Sequence, residues 1–516
     1  AQIAKVAMWL TDHQCNQRTA DRFGQTRPSI PLTDSAEIIN TNSLRTDWPQ
    51  ADYIFGNPPF IGHQWRSVEQ QDDCAAIFPK DGKFGKMDYV ACWYVKAARI
   101  MQQQPQVQTA FVSTNSICQG EQAGVLWAWL FAQGFEIFFA HRTFQWTSAA
   151  AGKAAVHCVI VGFEHADSSG REHRTKFLFV YSDIKGPPER REVANINQYL
   201  ANGASVILPS RSNPPAGLNK MTKGNQPTDG GNWILTLSEK EALESRYPIL
   251  QNYIKPFIGA EELINGKQRY CLWFHKAKPS EMAKIGAIPE IRARREAVRA
   301  LRLNSPTKSV QDQADTPYLF TQIRQPETDF LAIPRVSSER REYVPIDFFT
   351  PDVVISDAVC AIGNCTEYEF GVLTSKMNNA WIRTVAGRLK SDYRYDANVY
   401  HSFPFPQADE AQKTTIKQLA QAVLDARQSE REKDPEVTLA VLYNPDTMPT
   451  SLRDAHKKLD AAVDKLYRKE KFINEADRVG YLFDLYQQLA APTDVPAPPA
   501  SKRGPRKSTA SHGSEE

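Results

Sequence analysis

Between residues 37 and 181 the chain alternates short apolar runs with segments of helical periodicity. Runs typical of buried strands lie at 37–40, 53–56, 109–113, 135–140 and 156–163. Apolar residues from Met87 to Met101 recur at the spacing of one helix face, and a second helix is predicted at 121–133. This alternation favours βαβ units and a parallel sheet, so the predicted fold class is α/β.

Composition divides the rest of the chain, after a first domain at 1–182. Residues 183–232 are rich in Pro, Gly, Asn and Ser, which is typical of a linker or domain boundary. Short strand-like runs among helices at 233–406 predict an α+β domain. Residues 407–490 have helical periodicity, and residues 491–516 have the composition of a disordered tail. Within the helical region one apolar stripe is predicted at Leu452, Ala455, His456, Leu459, Val463, Leu466 and Tyr467.

Charge and cysteine usage exclude several classes of protein. The net charge is +3, so a nucleic-acid-binding surface would have to be a local patch. The sequence holds neither an apolar run of about 18 residues nor a signal-peptide pattern, and we expect a cytoplasmic location. The eight cysteines lack the paired spacing of structural zinc sites, so we expect reduced, buried thiols and no metal site.

The most informative segment is ADYIFGNPPF, at residues 51–60. An apolar strand leads directly into Asn57, Pro58, Pro59 and Phe60, which places these residues at the carboxyl end of a strand, where open α/β sheets bind ligands. The prolines restrict the backbone, so the Asn57 side chain and the Pro58 carbonyl can both accept hydrogen bonds from one small donor. Phe60 offers a flat face for stacking.

A planar ring with an exocyclic amino group matches this arrangement, and adenine N6 is the obvious candidate. Accepting both hydrogens draws the nitrogen lone pair out of conjugation and directs it at an electrophile. The electrophile would be the sulfonium methyl group of S-adenosylmethionine. The alternative is a strand followed by a proline-rich turn with no function. A chance match is rare, because Pro is about 5% of residues, so we favour the functional interpretation.

NPPF after a strand resembles motif IV of amino-methyltransferases. Several other stretches resemble the MmeI-like fused type II restriction-modification enzymes, whose methyltransferase is adenine-specific. These stretches include GKMDYVACWYVKAARIM, TAFVSTNSICQGEQ, YIKPFIGAEELINGKQRYCLWF, PRVSSERREYVPIDFF and GRLKSDYRYDANVYHSFPFP. The resemblance covers roughly residues 1–490. It implies a partial Rossmann-like methyltransferase sheet, then an α+β target-recognition domain that binds double-stranded DNA, then a C-terminal helical region.

The resemblance also implies roles for five other residues. Asn42 and, less directly, Asp47 fall where the family carries a polar or acidic residue near the cofactor's adenine. Asp88 lies in a region that borders the cofactor, although it could instead cap a helix. Phe144 and Trp146 lie in the segment that surrounds a flipped target base, although aromatic residues more often fill cores.

The printed sequence departs from the family before the NPPF segment. In the family, an endonuclease region, a Gly-rich loop and an acidic residue that binds the cofactor ribose come first. Apart from Gly56, the printed sequence has only Gly24 in this region. We therefore expect the C-terminal part of a methyltransferase, with an upstream polypeptide supplying the missing cofactor loop.

Two basic segments are candidates for DNA contact. In one predicted helix, Arg292, Arg295, Arg299 and Arg302 recur on one face, as expected for a stripe that contacts phosphates. The alternative is a solvated charged face.

The segment GRLKSDYRY interleaves basic and aromatic residues, and we favour it for DNA contact. The candidates here are Arg388, Lys390, Tyr393 and Arg394.

The leading hypothesis is an adenine-specific DNA methyltransferase that uses S-adenosylmethionine. One alternative is a DNA-specificity module without turnover, as a remnant or as one half of a split enzyme. Another is methylation of a glutamine amide in a protein, since that amide also presents an NH2 group.

Overall fold

The structure is a computed structural model of the chain. It describes residues 2–24, 37–80, 82–146, 156–166, 175–209, 211, 213–215, 217–389 and 391–490. The predicted tail at 491–516 lies outside these residues. Among the helices that the structure describes, none combines the length and apolar character needed to span a bilayer.

The amino-terminal part contains a six-stranded sheet and several α-helices. In chain order its elements are α1 (Gln2–Phe23), β1 (Tyr53–Gly56), α2 (Val68–Ile77), α3 (Ala91–Gln103), β2 (Gln108–Thr114), α4 (Gly120–Ala132), β3 (Phe135–Trp146), β4 (Val156–His165), β5 (Lys176–Val180) and β6 (Glu189–Val193). The strand order is β1-β2-β4-β3-β5-β6. Strand β6 therefore places part of the linker-like segment in this sheet.

The sheet is mixed, so the prediction of a parallel sheet is wrong in part. Strands β1 and β2 are parallel, as predicted, but β4 lies between β2 and β3 and is antiparallel to both. Parallel neighbours need a crossover connection, usually a helix, and no helix was predicted between β3 and β4. These two neighbouring strands therefore run antiparallel. Residues 37–40 form no strand, and Ile39 there is 52% exposed.

The predicted helix at 87–101 positions the NPPF side of the sheet. Helix α3 packs its apolar face on the sheet, where the fully buried Tyr94 stacks on Phe163 of β4 with ring centroids 5.4 Å apart. The Tyr94 hydroxyl lies 2.9 Å from Ser113 Oγ of β2. The polar end of Tyr94 is thereby satisfied inside an apolar core.

Three small sheets and several helices follow the first sheet. Their elements are β7 (Met221–Lys223), β8 (Ile234–Leu235), α5 (Leu237–Arg246), β9 (Ile254–Ile258), α6 (Ala260–Asn265), β10 (Tyr270–Leu272), α7 (Pro279–Gly286), α8 (Pro289–Leu303), α9 (Lys308–Gln311), β11 (Phe330–Pro334), β12 (Val336–Ser337), β13 (Asp347–Phe349), β14 (Val354–Ile355), β15 (Val359–Gly363), α10 (Glu367–Thr374), α11 (Lys376–Val385), β16 (Arg388–Leu389), β17 (Asp392–Arg394) and α12 (Ala397–His401). The sheet orders are β14-β9-β10-β8, β13-β11-β15-β7 and β12-β17-β16.

The last part is helical, as predicted. It contains α13 (Glu410–Lys433), α14 (Leu439–Leu442), α15 (Thr450–Tyr467) and α16 (Glu475–Ala490). The predicted apolar stripe of α15 is buried at Leu452, Leu459 and Val463. These residues share one core with Phe330 of β11 and Trp381 of α11, so the helices pack directly on the preceding region.

Of the eight free cysteines, six are buried, as predicted, whereas Cys15 is exposed and Cys365 is partly buried. Cys74 and Cys92 lie 3.4 Å apart, sulfur to sulfur, between α2 and α3.

Candidate active site and DNA interface

The NPPF segment lies in the loop that leaves the carboxyl end of β1. Gly56 pairs with Phe111 of the parallel strand β2, so both strands end at the same edge of the sheet. Asn57 is exposed, Pro58 is buried and Phe60 is partly buried. Buried Pro58 anchors the loop, and Asn57 stays accessible at the edge where ligands bind in open α/β sheets.

Asp88 holds this loop in place. Its Oδ1 accepts a hydrogen bond from the His63 backbone N–H at 3.1 Å and one from Gln122 Nε2 at 3.0 Å. Its Oδ2 accepts one from the Ser116 hydroxyl at 2.5 Å. The carboxylate thus joins the NPPF loop, the end of β2 and the start of α4. Asp88 does not cap the helix, because α3 begins at Ala91 and has Val90 at its N-cap without a side-chain bond.

The sheet register places Phe144 at the same edge as the NPPF loop. Cys158 of β4 pairs with Thr114 on one side and with Phe144 on the other, so Phe144 is level with the end of β2. Phe144 stacks on Tyr181, with ring centroids 5.3 Å apart. The Trp146 side chain lies outside what the structure describes.

Asn42 orders its own loop. Its Nδ2 donates to Asp73 Oδ2 at 3.0 Å, and its Oδ1 accepts from the Leu44 N–H at 3.0 Å. Asp73 also accepts from Tyr89 and Arg45. Burial raises the pKa of Asp73, but these three side-chain donors outweigh burial and lower the pKa below its usual value. Both polar atoms of the Asn42 side chain therefore have hydrogen-bond partners within the chain.

Asp47 is exposed on the same loop, next to a lysine that fixes the loop backbone. Lys96 of α3 donates to the carbonyls of Ser43 at 2.7 Å, Leu44 at 3.1 Å and Thr46 at 2.5 Å. Burial lowers the pKa of Lys96, while the Asp47 carboxylate opposes that shift. The loop therefore presents Asp47 to solvent in a defined position.

The segment GRLKSDYRY forms a hairpin, which we call the recognition hairpin, made of β16 and β17. Strand β17 pairs with β12. Arg388 is only 11% exposed and bonds to Glu339 at 2.8 Å while lying 4.4 Å from the Tyr393 ring centroid. Arg388 and Tyr393 thus brace the hairpin, whereas Arg394 is exposed. Lys390 lies outside the described residues.

In α8 the four predicted arginines have two different environments. Arg292 and Arg299 are exposed, and Arg295 is partly exposed. Arg302 is fully buried and donates to the carbonyls of five residues, Pro227, Thr228, Gln313, Thr316 and Leu319. The prediction that Arg302 faces a phosphate is wrong, because its helical position coincides with the buried stripe of Ile291 and Val298.

Three family profiles match consecutive parts of the chain. They are "MmeI, DNA-methyltransferase domain" at 1–179, "MmeI, target recognition domain" at 202–407 and "MmeI, C-terminal domain" at 408–493. This chain belongs to the MmeI family. The predicted resemblance and the predicted fold class are both confirmed.

Two relatives show how much of a MmeI-family protein the chain represents. It is 36% identical over 498 residues to DNA methyltransferase A of Bacillus subtilis (strain 168), a match that covers 94% of this chain and 54% of the relative. It superposes with a TM-score of 0.81 and 42% identity on the type IIL restriction-modification enzyme MmeI, solved in complex with DNA, covering 95% of this chain and 64% of that one. The chain thus spans about half the length of its curated relative.

Sequence reasoning missed several residues that build this MmeI-family site. Asp73, Lys96 and Gln122 contact residues far away in the chain, and no local periodicity marks them. The available signal was that Lys96 falls in GKMDYVACWYVKAARIM and Gln122 in TAFVSTNSICQGEQ, two of the stretches that resemble the family.

Proposed function

We propose that this chain is the methyltransferase and target-recognition portion of an enzyme that methylates adenine N6 in a specific DNA sequence, using S-adenosylmethionine. The observation that carries the proposal is the NPPF loop. It sits at the carboxyl edge of the sheet with Asn57 exposed, and Asp88 fixes its backbone through His63.

Asn57 Oδ1 and the Pro58 carbonyl accept the two N6 hydrogens of the target adenine, and Phe60 stacks on its ring. These hydrogen bonds free the N6 lone pair to attack the methyl carbon of the cofactor. When bound, S-adenosylmethionine supplies an electrophilic methyl group and a thioether leaving group. With the cofactor bound, the N–C bond would form as the S–C bond breaks, and N6 would then lose a proton to water. The exposed carboxylate of Asp47 is an acceptor of the kind that the cofactor's adenine amino group requires.

The target adenine must leave the DNA stack to reach Asn57. We propose that Phe144, which is level with the end of β2, contacts the extruded base. Arg394 on the recognition hairpin, with Arg292, Arg295 and Arg299 on α8, would hold the duplex through its phosphates.

A further polypeptide is proposed to complete the cofactor site. Among the described strands, β1 pairs only with β2, so its other edge is open, and one of its faces exposes Tyr53 at 64% and Phe55 at 81%. An open edge of this kind is a template for another strand. We propose that a segment with a Gly-rich loop pairs here, which agrees with the 54% coverage of the curated relative. We also propose a first domain that ends after β6, a second that includes β7 and ends at residue 406, and a third at 407–490, because β6 pairs with β5 and β7 pairs with β15.

Asn57→Ala tests the assignment in the full-length protein. We expect DNA methylation to fall by about a hundredfold or more, because one positioned acceptor is lost. DNA affinity should change little, since Asn57 contacts only the reacting base. Exposed Asn252, the last residue of a 3-10 helix just before β9, provides the control variant Asn252→Ala.

Transfer of labelled methyl groups to DNA and to protein distinguishes the alternatives. Near wild-type DNA methylation by Asn57→Ala would refute the site. DNA binding without methylation of any substrate by the wild type would indicate a specificity module, and label on a protein glutamine would indicate the third hypothesis.

A further inference from the structure

The first turn of α4, residues 120–122, touches the recognition hairpin through backbone. Gly120 has a left-handed φ of +62°, and a Cβ built there would lie 3.3 Å from the Cα of Gly387. Gly387 directly precedes β16. Two glycine backbones in contact leave no side chain that could adjust, so this contact determines how closely the hairpin approaches α4.

The next residue contacts the chain just after the hairpin. Glu121 Oε1 accepts a hydrogen bond of 3.3 Å from Asn398 Nδ2 in α12. Gly387 and Asn398 lie on either side of the hairpin in sequence. The turn therefore holds both the entry and the exit of the recognition hairpin.

The third residue of the turn contacts Asp88, which holds the NPPF loop. Gln122 Oε1 accepts from the Asp88 N–H at 2.9 Å, while its Nε2 donates to Asp88 Oδ1 at 3.0 Å. The same Oδ1 accepts from the His63 N–H. We call residues 57–63 the catalytic loop. Gln122 and Asp88 thus connect this loop to the turn that holds the hairpin.

We infer that the 120–122 turn couples DNA recognition to the catalytic loop, with Gly120 and Gln122 as positioning residues. DNA held by the recognition hairpin fixes Gly387 against Gly120, and Gln122 transmits that position through Asp88 to His63. This inference rests on the proposed function and adds the route by which the recognition region aligns the reacting groups. A misplacement of about 1 Å at a reacting centre can lower a rate by about a hundredfold.

Two pairs of variants of the full-length protein test the coupling. Gly120→Ala places a methyl group against Gly387. Gly231→Ala is its control, because Gly231 also has a left-handed φ, +84°, but has nothing within 4 Å. Gln122→Ala removes both bonds to Asp88, and its control is Gln133→Ala at the other end of α4.

We expect Gly120→Ala and Gln122→Ala to bind DNA within about threefold of wild type while kcat falls by about tenfold to a hundredfold. Both controls should keep wild-type kcat. Hydrogen exchange gives a second readout, independent of turnover. DNA should protect the amides of the catalytic loop in the wild type, and this protection should be lost in Gln122→Ala.

The outcomes separate the inference from the proposed function. If wild-type DNA binding and methylation are intact but DNA protects the loop equally in Gln122→Ala, or kcat is unchanged, the coupling is refuted and the function stands. A parallel loss of DNA affinity and kcat would also refute it, because the turn would then only support the fold. Failure of the wild type to bind DNA refutes both.

Discussion

Replacing Arg302 with methionine should destabilise the α8 region without changing how the protein depends on salt for DNA binding. The guanidinium is fully buried and joins the segments that precede and follow α8 by donating to five backbone carbonyls. Methionine is unbranched and fills similar space, so the change removes mainly the hydrogen bonds.

The expected loss of stability depends on which of the five carbonyls keep another hydrogen-bond donor. The carbonyls of Gln313 and Thr316 also accept backbone N–H groups, at 3.3 and 3.1 Å, so they keep a donor. Those of Pro227, Thr228 and Leu319 depend on Arg302 for the bonds described above. An unsatisfied buried acceptor costs about 1–3 kcal/mol, so three of them together cost about 3 kcal/mol or more. We expect the free energy of local opening to fall by about 4 kcal/mol.

Hydrogen exchange measures this opening free energy at individual amides. The Trp233 amide is a suitable reporter, because it donates to Asp229 Oδ2 at 2.7 Å and its fully buried indole donates to the Pro317 carbonyl at 2.8 Å. Arg299→Met on the same helix is the matched control. Arg299 is 54% exposed and lies 3.4 Å from Asp315, and an exposed pair of this kind contributes at most about 1 kcal/mol.

An opening free energy in Arg302→Met within about 1 kcal/mol of wild type would refute this reasoning. So would a fall in the salt dependence of DNA binding at unchanged stability, since that result would place Arg302 on a phosphate.

Two further predictions concern charge. Arg394→Ala should make the slope of log K for DNA binding against log salt less negative by about 0.9, the value for one phosphate contact. Arg302→Met should leave this slope unchanged. Fluorescence anisotropy titrations of DNA over a range of salt concentrations measure both slopes. Burial raises the pKa of Asp460 from 3.8 to about 6, so the folded state favours the protonated acid and loses stability as the pH rises from about 4 to 6. The free energy of unfolding of Asp460→Asn, measured in urea, should therefore rise relative to wild type by up to about 3 kcal/mol between pH 4 and pH 7. A difference between the two proteins that stays constant over that range would contradict the raised pKa of Asp460.

Short-range patterns were enough to predict several elements. The strand that ends in NPPF and the apolar stripe of α15 form where the periodicity places them, and the helix predicted at 87–101 forms as α3, from Ala91 to Gln103. Each depends on residues within two or three turns or one strand, where apolar spacing selects the conformation that can bury one face. The chemistry proposed for Asn57 also follows from residue type and its place after a strand.

Strand direction and long-range partners required the tertiary structure. Apolar runs do not encode on which side of β2 a later strand inserts, so the antiparallel position of β4 was missed. Nor does residue type show that Asp88 bonds to His63 and Gln122, which lie 25 and 34 positions away. In α8, helical spacing grouped Arg292 with Arg302, but residues 227–228 and 313–319 cover Arg302 and leave Arg292 exposed. Spacing specifies which residues share a helix face, and only the surrounding chain decides which face is covered.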